Sequence, residues 1–228
     1  MYDWVTHTHS HLGGKCPHGC SYCYVQAMAV KFDTMKARYG GPICLIESEL
    51  DVKYGEGKTI FIEHMNDLFA DAVPADFVVR ILQHCAKFPK NTYVFQTKNP
   101  GRLVNVFIDR IPQGSIVGTT IETNRYYPEI MNDCPLVVCR QIGMLQIKQR
   151  RPDLKRFVTV EPILDLDPKE LADGIAEIAP DFLNIGADSK KRGLPEPSAE
   201  TIQAFLAALA ARGVTIRKKN NLGRLMNP

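Results

Sequence analysis

Three cysteines near the start of the chain have a spacing that suits metal chemistry. Cys16, Cys20 and Cys23 lie within eight residues, in the segment KCPHGCSYCYVQAM, and form the pattern C-x3-C-x2-C. The glycines and the proline around them predict a tight loop, and the following AMAVKFDTMKARYG predicts a helix. A loop of this kind can direct three thiolates toward one metal centre.

The number and spacing of these thiolates distinguish between two metal centres. Structural zinc sites normally have four ligands, commonly in paired C-x2-C units, and no second pair with that spacing occurs in this sequence. A [4Fe-4S] cluster held by three cysteines instead leaves one iron open for a substrate or cofactor. The pattern favours such a cluster, with a degenerate zinc knuckle or a loop of unrelated cysteines as the alternatives.

The cysteine motif, with the aromatic Tyr22 before its last cysteine, resembles the signature of the radical S-adenosylmethionine (SAM) superfamily. The resemblance implies that Cys16, Cys20 and Cys23 hold a [4Fe-4S] cluster whose open iron is chelated by SAM. It further implies that the reduced cluster cleaves SAM to methionine and a 5′-deoxyadenosyl radical, which abstracts a hydrogen atom from the substrate. An external electron donor would then be needed.

The rest of the chain alternates apolar strands with helical segments, as an α/β fold requires. After the His-rich stretch near the N-terminus, strands are predicted at 59–63, 92–96, 115–121, 157–160, 182–185 and 214–216. The helices between them are predicted in PADFVVRILQHCAKF, RQIGMLQIKQRR, DPKELADGIAEIA and TIQAFLAALAARG. Together with the resemblance, this order predicts a partial (β/α)6 TIM-like barrel and a single radical SAM core domain over residues 1–228.

Polar side chains follow the strands where each one ends, and open α/β sheets assemble their sites at that edge. SAM offers an ammonium, a carboxylate and two ribose hydroxyls, so its site needs an acid, a base and neutral hydrogen-bonding groups. Asp67, Lys98, Thr120 and Glu122 supply that set. The full set of predicted cofactor-binding residues is Tyr22, Asn66, Asp67, Lys98, Thr120, Glu122 and Glu161.

Five further segments narrow the resemblance: MNDLFADAVP, FQTKNPGRL, GTTIETN, RFVTVEPIL and FLNIGADS are similar to a phage-associated, largely uncharacterised radical SAM branch. The cluster segment CPHGCSYCYVQ also resembles that of spore photoproduct lyase. By that match, Lys98 is implied to contact the SAM carboxylate and Thr120 to help hold SAM. Asn66 and Asp67 match the position that holds the SAM amino group, although the usual Gly-Gly-Glu is absent.

Several other residues could do chemistry. Tyr126, just past the fourth strand, and Cys139, after an apolar run, are candidate catalytic residues; packing or burial is the alternative for each. His7, His9 and His11 alternate so that they would share one face of a strand. A second metal site, a contact with substrate or SAM, and polar scaffolding are all open for these histidines.

No second cluster motif is formed by the remaining four cysteines, Cys44, Cys85, Cys134 and Cys139. Cys85 lies in an apolar helical segment and is expected to be buried in the protein core. Tyr127 can stack on a base, relay a radical or pack. The four cysteines do not have the spacing of an auxiliary iron–sulfur site.

Composition limits the class of protein. The chain has 228 residues, 45% of them apolar and 23% charged, which excludes a disordered, collagen or coiled-coil protein. No apolar run approaches the roughly 20 residues of a membrane span, and the N-terminus lacks a signal peptide pattern. We therefore expect a cytoplasmic protein without membrane contact, in the host cytoplasm if it is phage-encoded.

Net charge is only +3, so any nucleic-acid surface must come from local clusters of basic residues. Each cluster alone is usually a solvated face. Three occur: Lys148, Arg150, Arg151, Lys155 and Arg156; Lys190, Lys191 and Arg192; and Arg217, Lys218, Lys219 and Arg224. The last two follow strands and are expected to rim the barrel mouth.

The sequence thus indicates a radical SAM enzyme, of isomerase or lyase type, with a [4Fe-4S] cluster and SAM as cofactors. The phage-type resemblance and the basic rim predict that it acts on a modified thymine base in DNA, in thymidine hypermodification, as an isomerase of an amino-acid–thymine adduct. Three alternatives stand: a thymine photolesion repair lyase, a radical SAM enzyme acting on a free nucleotide or small metabolite, and a non-enzymatic, metal-stabilised nucleic-acid-binding module.

Overall fold

Strands and helices alternate along the chain in the computed structural model, which describes residues 2–226. In that range the strands are β1 (His7–His9), β2 (Leu12–Gly13), β3 (Cys44–Leu45), β4 (Thr59–Ile62), β5 (Thr92–Gln96), β6 (Ile116–Thr120), β7 (Lys155–Val160), β8 (Phe182–Ile185) and β9 (Ile216–Lys218).

The helices connect these strands. They are α1 (Tyr24–Lys31), α2 (Asp33–Tyr39), α3 (Ala75–Ala86), α4 (Pro100–Arg102), α5 (Pro128–Met131), α6 (Val137–Arg150), α7 (Pro168–Ile178), α8 (Ala199–Ala211) and α9 (Gly223–Met226). Short 3₁₀ turns lie at Glu47–Asp51, Ile108–Arg110 and Asn220–Leu222, and a π-helical turn at Leu103–Phe107. Among these described helices, none has both the length and the apolar character that crossing a membrane requires.

The main sheet has seven parallel strands in the order β1-β4-β5-β6-β7-β8-β9, which is also their order along the chain. Each strand after β1 is therefore added to the same edge through a helical connection, and six such connections occur. β2 and β3 form a separate antiparallel pair. Within residues 2–226 the first and last strands do not pair with each other, so the sheet is an open, partial barrel. The predicted α/β fold is confirmed.

Both faces of the sheet are buried, as parallel sheets require. Alternate residues such as Ile60 and Val158 point toward the helices and belong to the main core. The opposite face carries Phe157 and Phe182, and residues near the N-terminus fill it: the Trp4 ring lies 5.7 Å from Phe157 and 5.2 Å from Phe182 between ring centroids. The barrel interior below the site is therefore a packed aromatic cluster.

Three local expectations differ from the structure. The helix predicted after the cysteine loop is interrupted at Phe32, whose backbone is extended, and α2 begins at Asp33, an acidic residue suited to a helix N-terminus. β9 lies at Ile216–Lys218 instead of 214–216, because Val214 packs into the core before the strand begins. The basic residues Arg217 and Lys218 thus belong to the strand itself.

Gly118 in β6 leaves the space that the aromatic cluster of Trp4, Phe157 and Phe182 occupies. A Cβ atom at Gly118 would lie 2.3 Å from Cε1 of Phe157, its partner in the neighbouring strand. We expect Gly118→Ala to lower the free energy of unfolding by about 1–3 kcal/mol, because the ring cannot move without displacing Trp4 and Phe182. The control is Gly41→Ala, at an exposed site where a Cβ meets no atom within 4 Å. Equal midpoints of urea unfolding for the two variants would contradict this explanation.

Candidate active site

One large cavity, of about 530 Å³, lies at the carboxyl ends of the parallel strands. Its volume is in the range of small-molecule and cofactor sites. The cysteine loop and the ends of β4 to β8 both line it, which is the edge where the sequence places the polar residues. The lining includes Cys16, His18, Cys20, Tyr22, Cys23, Asn66, Asp67, Lys98, Thr120, Thr159 and Glu161.

The cysteine loop is fixed by close backbone contacts. Gly14 has φ +84°, and a Cβ atom there would lie 2.0 Å from the carbonyl oxygen of Pro42, so this position requires glycine. The Gly14 carbonyl accepts a hydrogen bond from Nδ2 of Asn66 at 3.1 Å. Asn66 thus ties the loop to the segment that follows β4.

The three motif thiols line the same cavity but are not gathered into a ready metal site. Within residues 2–226 no three His, Cys, Asp or Glu side chains are close enough together to hold a metal ion. The Cys20 sulfur instead lies 3.3 Å from the sulfur of Cys134, and the Cys134 hydrogen bond lowers the pKa of Cys20. Burial raises the pKa of Cys16 to about 12. Cys134 was not expected at this position from the sequence.

Asp67 links the cysteine loop to the end of β5. Its carboxylate accepts hydrogen bonds from His18 Nε2 at 2.8 Å, from the Thr97 hydroxyl at 2.7 Å and from the backbone N–H groups of Lys98 and Phe69 at 2.7 and 3.0 Å. Burial alone would raise the pKa of Asp67, but the His18 charge and these hydrogen bonds hold it below its usual value. Asp67 therefore acts as an ionised clamp in the cavity wall.

Asn66 is the one predicted cofactor-binding residue with an unmet hydrogen-bonding need. Its side chain is buried, with 9% exposed, and its Oδ1 has no partner among the described residues. Nδ2 bonds the Gly14 carbonyl, and Oδ1 keeps unused acceptor capacity in a residue that lines the cavity. An ammonium group is a suitable donor for it.

Lys98, Tyr22 and Glu122 form one connected group. Lys98 Nζ donates to the Tyr22 hydroxyl at 2.6 Å and to Oε1 of Glu122, and the Tyr22 hydroxyl also donates to Glu122. Lys98 and Tyr22 line the cavity, whereas Glu122 is completely buried and does not. Glu122 was predicted as a cofactor ligand; the structure instead places it behind Lys98, where Arg140 donates to its other oxygen at 2.7 Å.

A chain of hydrogen bonds crosses the cavity floor. Tyr2 donates its hydroxyl proton to Gln96 Oε1 at 2.9 Å and lies 2.7 Å from the Thr159 hydroxyl. Gln96 Nε2 donates to the Thr120 hydroxyl at 2.9 Å. Since the Thr120 oxygen accepts this bond, its own O–H proton is available to a ligand.

Glu161, the last predicted cofactor-binding residue, lines the cavity beside the basic rim. Its carboxylate accepts from Lys219 Nζ at 2.7 Å and from Asn221 Nδ2 at 3.1 Å. Lys190 and Arg192 also line the cavity. The second and third basic clusters therefore reach the cavity mouth, as expected.

The two candidate catalytic residues lie away from this cavity. Cys139 is exposed near the start of α6, and Tyr126 is 70% exposed in the connection after β6. Neither residue lines the cavity, and neither is buried, so the structure places both candidates on the surface. Cys85, in contrast, is fully buried in α3, as predicted.

Of the three histidines of the N-terminal stretch, β1 contains His7 and His9, and His11 follows it. β1 ends at His9, and the ring of His11 lies 4.5 Å from that of His9, in a buried aromatic group with Tyr54. His11 Nδ1 lies 2.9 Å from Glu63 Oε1, and the Tyr54 hydroxyl lies 2.8 Å from His11 Nε2. His7 is exposed beside Thr6.

Glu63, which the sequence did not single out, secures the start of the cysteine loop. Its carboxylate accepts from the backbone N–H groups of His11 and Leu12, at 2.5 and 3.2 Å. Glu63 itself has φ +59°, a conformation that is strained for a non-glycine residue. Burial raises the pKa of Glu63 from 4.5 to about 7.

This raised pKa predicts a pH-dependent stability. The folded chain binds the Glu63 proton more tightly than the unfolded chain does. The protonated carboxyl therefore contributes to the free energy of unfolding below pH 4.5, and this contribution is lost as pH rises toward 7. The loss is roughly 3 kcal/mol. His11, whose pKa burial lowers to about 4, has the opposite effect, and His9 and Arg38 also face this carboxyl. We therefore expect the difference in unfolding free energy between the unmodified chain and Glu63→Gln to fall between pH 4.5 and 7; a constant difference would refute it.

The fold is similar to that of solved radical SAM enzymes. A mutant of spore photoproduct lyase with bound AdoMet and dinucleoside spore photoproduct is 14% identical, with a TM-score of 0.56 over 88% of this chain and 60% of that chain. A second spore photoproduct lyase mutant is 11% identical, with a TM-score of 0.55 over 92% and 76%. SuiB from Streptococcus suis is 9% identical, with a TM-score of 0.55 over 95% and 50%.

The present chain thus spans 60% of the first of these structures and half of the last. At such low identity the similarity is one of fold. Among curated proteins, none matches the sequence. A family model described as "Protein of unknown function (DUF5131)" matches residues 2–173, which is most of the chain. The chain therefore belongs to the DUF5131 family.

Proposed function

We propose that this protein is a radical SAM enzyme in which Cys16, Cys20 and Cys23 hold a [4Fe-4S] cluster. The observation that carries the proposal is that these three thiols line the same cavity as Lys98, at the carboxyl ends of the strands. The fold shared with radical SAM enzymes supports it. The donor set fits the cofactors as well: three thiols for iron, a lysine beside them, and the unpartnered Oδ1 of Asn66.

The side chains around the cavity suit the groups of SAM. Lys98, supported by Tyr22, would bind the carboxylate, and Asn66 Oδ1 would accept from the ammonium. Thr120 and Glu161 can bond the ribose hydroxyls. When bound, the cluster would supply one electron, received from an external donor, for the cleavage of SAM to a 5′-deoxyadenosyl radical. Asp67 would keep the loop and the lysine segment in register during binding.

The test of this activity is the formation of 5′-deoxyadenosine. The protein is reconstituted with iron and sulfide without oxygen, reduced with dithionite and supplied with SAM. The proposal predicts 5′-deoxyadenosine in the unmodified chain and none in Cys23→Ala. Zinc in place of iron and sulfide, with no cleavage of SAM, would contradict it and favour a metal-stabilised binding module.

For the substrate we propose a thymine-derived base in DNA, modified by an isomerase- or lyase-type step such as the rearrangement of an amino-acid–thymine adduct in hypermodified phage DNA. The basic side chains at the cavity mouth support a phosphate-bearing substrate: Lys190, Arg192 and Lys219. The similarity in fold to an enzyme solved with dinucleoside spore photoproduct supports a base substrate. That same similarity favours repair of a thymine photolesion as the second candidate.

Binding of duplex DNA at several salt concentrations tests the substrate class. Lys190→Gln/Lys191→Gln should weaken binding and reduce the slope of log affinity against log salt, because each lysine that contacts a phosphate releases counterions. The control is Lys87→Gln/Lys90→Gln, two exposed lysines outside the basic clusters that lie before β5, at its amino end. Equal effects of both changes, or no binding, would favour a free nucleotide or small metabolite. Product analysis with photolesion DNA and with adduct DNA separates repair from hypermodification.

A further inference from the structure

Arg140 is a fully buried arginine that holds the far side of Glu122. Its guanidinium donates to Glu122 Oε2 at 2.7 Å, to the carbonyl of Thr120 at 2.9 Å and to the carbonyl of Pro135 at 2.7 Å. Both Arg140 and Glu122 have no exposed surface. Burying a charge is costly unless a charged partner lies close by, so this pair must form as a unit.

The other oxygen of Glu122 is occupied from the cavity side. Lys98 Nζ and the Tyr22 hydroxyl both donate to Oε1, and both of these residues line the cavity; Lys98 is the charged one of the two. Although burial opposes it, the charges of Lys98 and Arg140 hold the pKa of Glu122 far below its usual value, and the pKa values of both cations are raised. All three groups are therefore charged near neutral pH.

The group carries an unbalanced charge. Apart from the motif thiols, which the cluster would take up, it contains two cations and one anion, so one positive charge remains and faces the cavity at Lys98. Three other acids in the cavity wall have cationic neighbours of their own: Asp67 with His18, Glu161 with Lys219, and Asp188 with Arg192. The fourth, Glu63, has a pKa raised by burial and pairs with His11. An anionic ligand group at Lys98 would neutralise the excess.

We propose that Arg140 is a positioning residue that keeps Lys98 available to the carboxylate of SAM, by balancing the charge of Glu122 from behind. Without Arg140, Lys98 and Glu122 would form a neutral pair and attract a carboxylate weakly. The proposal rests on the function proposed above. Arg140 does not line the cavity, so it touches no ligand there; its charge acts through Glu122 and Lys98, and its bond to the Thr120 carbonyl holds the end of β6.

The charge count defines the variants that test this role. Arg140→Met lowers the net charge of the group from +1 to 0, and Arg140→Lys keeps it. Arg140→Met combined with Glu122→Gln returns it to +1, since Lys98 is then the only charged member. Replacing a buried ion pair by neutral side chains of similar volume is often tolerated.

The experiment measures the dissociation constants of SAM and of decarboxylated SAM, by calorimetry, on each anaerobically reconstituted protein. In Arg140→Met we expect the affinity for SAM to fall by roughly tenfold, the usual order for loss of a charged hydrogen bond, and that for decarboxylated SAM to stay the same. Arg140→Lys and the double variant should keep the preference for SAM. If Arg140→Met does not fold, Glu122→Gln, with a net charge of +2, is compared with the double variant, with +1. The preference for SAM over decarboxylated SAM should then be weaker in the double variant.

Two results would overturn the role of Arg140. One is an equal loss of affinity for both ligands in Arg140→Met, which indicates a purely structural effect. The other is a double variant whose preference for SAM is no stronger than that of Arg140→Met. Where Glu122→Gln is used for the comparison, the contradicting result is a double variant whose preference for SAM is as strong as that of Glu122→Gln. If the unmodified protein binds neither ligand, the proposed function fails as well.

Discussion

Replacing Cys16, Cys20 or Cys23 by Ala is expected to reduce bound iron from about four atoms per chain to nearly none. The reason is that each thiolate would hold one iron of the cluster, and the motif offers no fourth thiol to replace a lost one. The measurement is the iron and sulfide content after anaerobic reconstitution, together with the visible absorption of the cluster. Formation of 5′-deoxyadenosine should disappear in the same variants.

Cys134→Ala is the matched control for these variants. The Cys134 sulfur lies 3.3 Å from Cys20, but it does not line the cavity and lies outside the cysteine motif. We expect this variant to keep its iron and to cleave SAM. A loss of iron equal to that in Cys20→Ala would mean that four thiolates hold the metal, which would leave no open position for SAM.

Asp67→Asn is expected to lower the free energy of unfolding by about 3–5 kcal/mol, the usual cost of breaking a buried ion pair. The change leaves His18 without its charged partner and removes one carboxylate oxygen from a group that bonds both the loop and the end of β5. Urea unfolding at neutral pH measures the effect.

The control for Asp67 is Asp51→Asn, at an exposed position, where a change within about 0.5 kcal/mol is expected. Similar unfolding midpoints for the two variants would contradict the view that Asp67 clamps the loop. A normal midpoint for Asp67→Asn with lost iron would instead assign Asp67 a role in binding alone.

The fold could be predicted from the sequence because the central strands of the main sheet, β4 to β8, are short apolar runs that end in polar residues. Thr59–Ile62 and Phe182–Ile185 are of this kind, and both lie where the pattern predicts. The errors occur where tertiary contacts override the local pattern. The last strand is displaced because Val214 is drawn into the core, and its basic residues stack on aromatic rings: the Arg217 guanidinium lies 3.7 Å from the Phe182 ring centroid.

The site was predictable in its strand-end residues but not in the contacts among them. Lys98, Asn66 and Thr120 reach the cavity because parallel strands end at one edge of the sheet. Nothing local to Glu122 reveals that it is buried behind Lys98, since that depends on Arg140, which belongs to a helix 18 residues further along.

Residues from distant segments complete the site in the same way. Tyr2 reaches the cavity floor from the N-terminal segment, 94 residues from its partner Gln96. His18 lies within the cysteine loop, and its pairing with Asp67 spans 49 residues. Such contacts are set by how the elements pack, so neither spacing nor residue type indicates them.

The central claim is that three cysteines hold a [4Fe-4S] cluster with one iron open to SAM. Electron paramagnetic resonance of the reduced protein, recorded before and after addition of SAM, tests it most directly. We predict a [4Fe-4S] signal that changes when SAM is added, and that is absent in Cys20→Ala. A signal that SAM leaves unchanged, or a protein that binds zinc and no cluster, would contradict the claim.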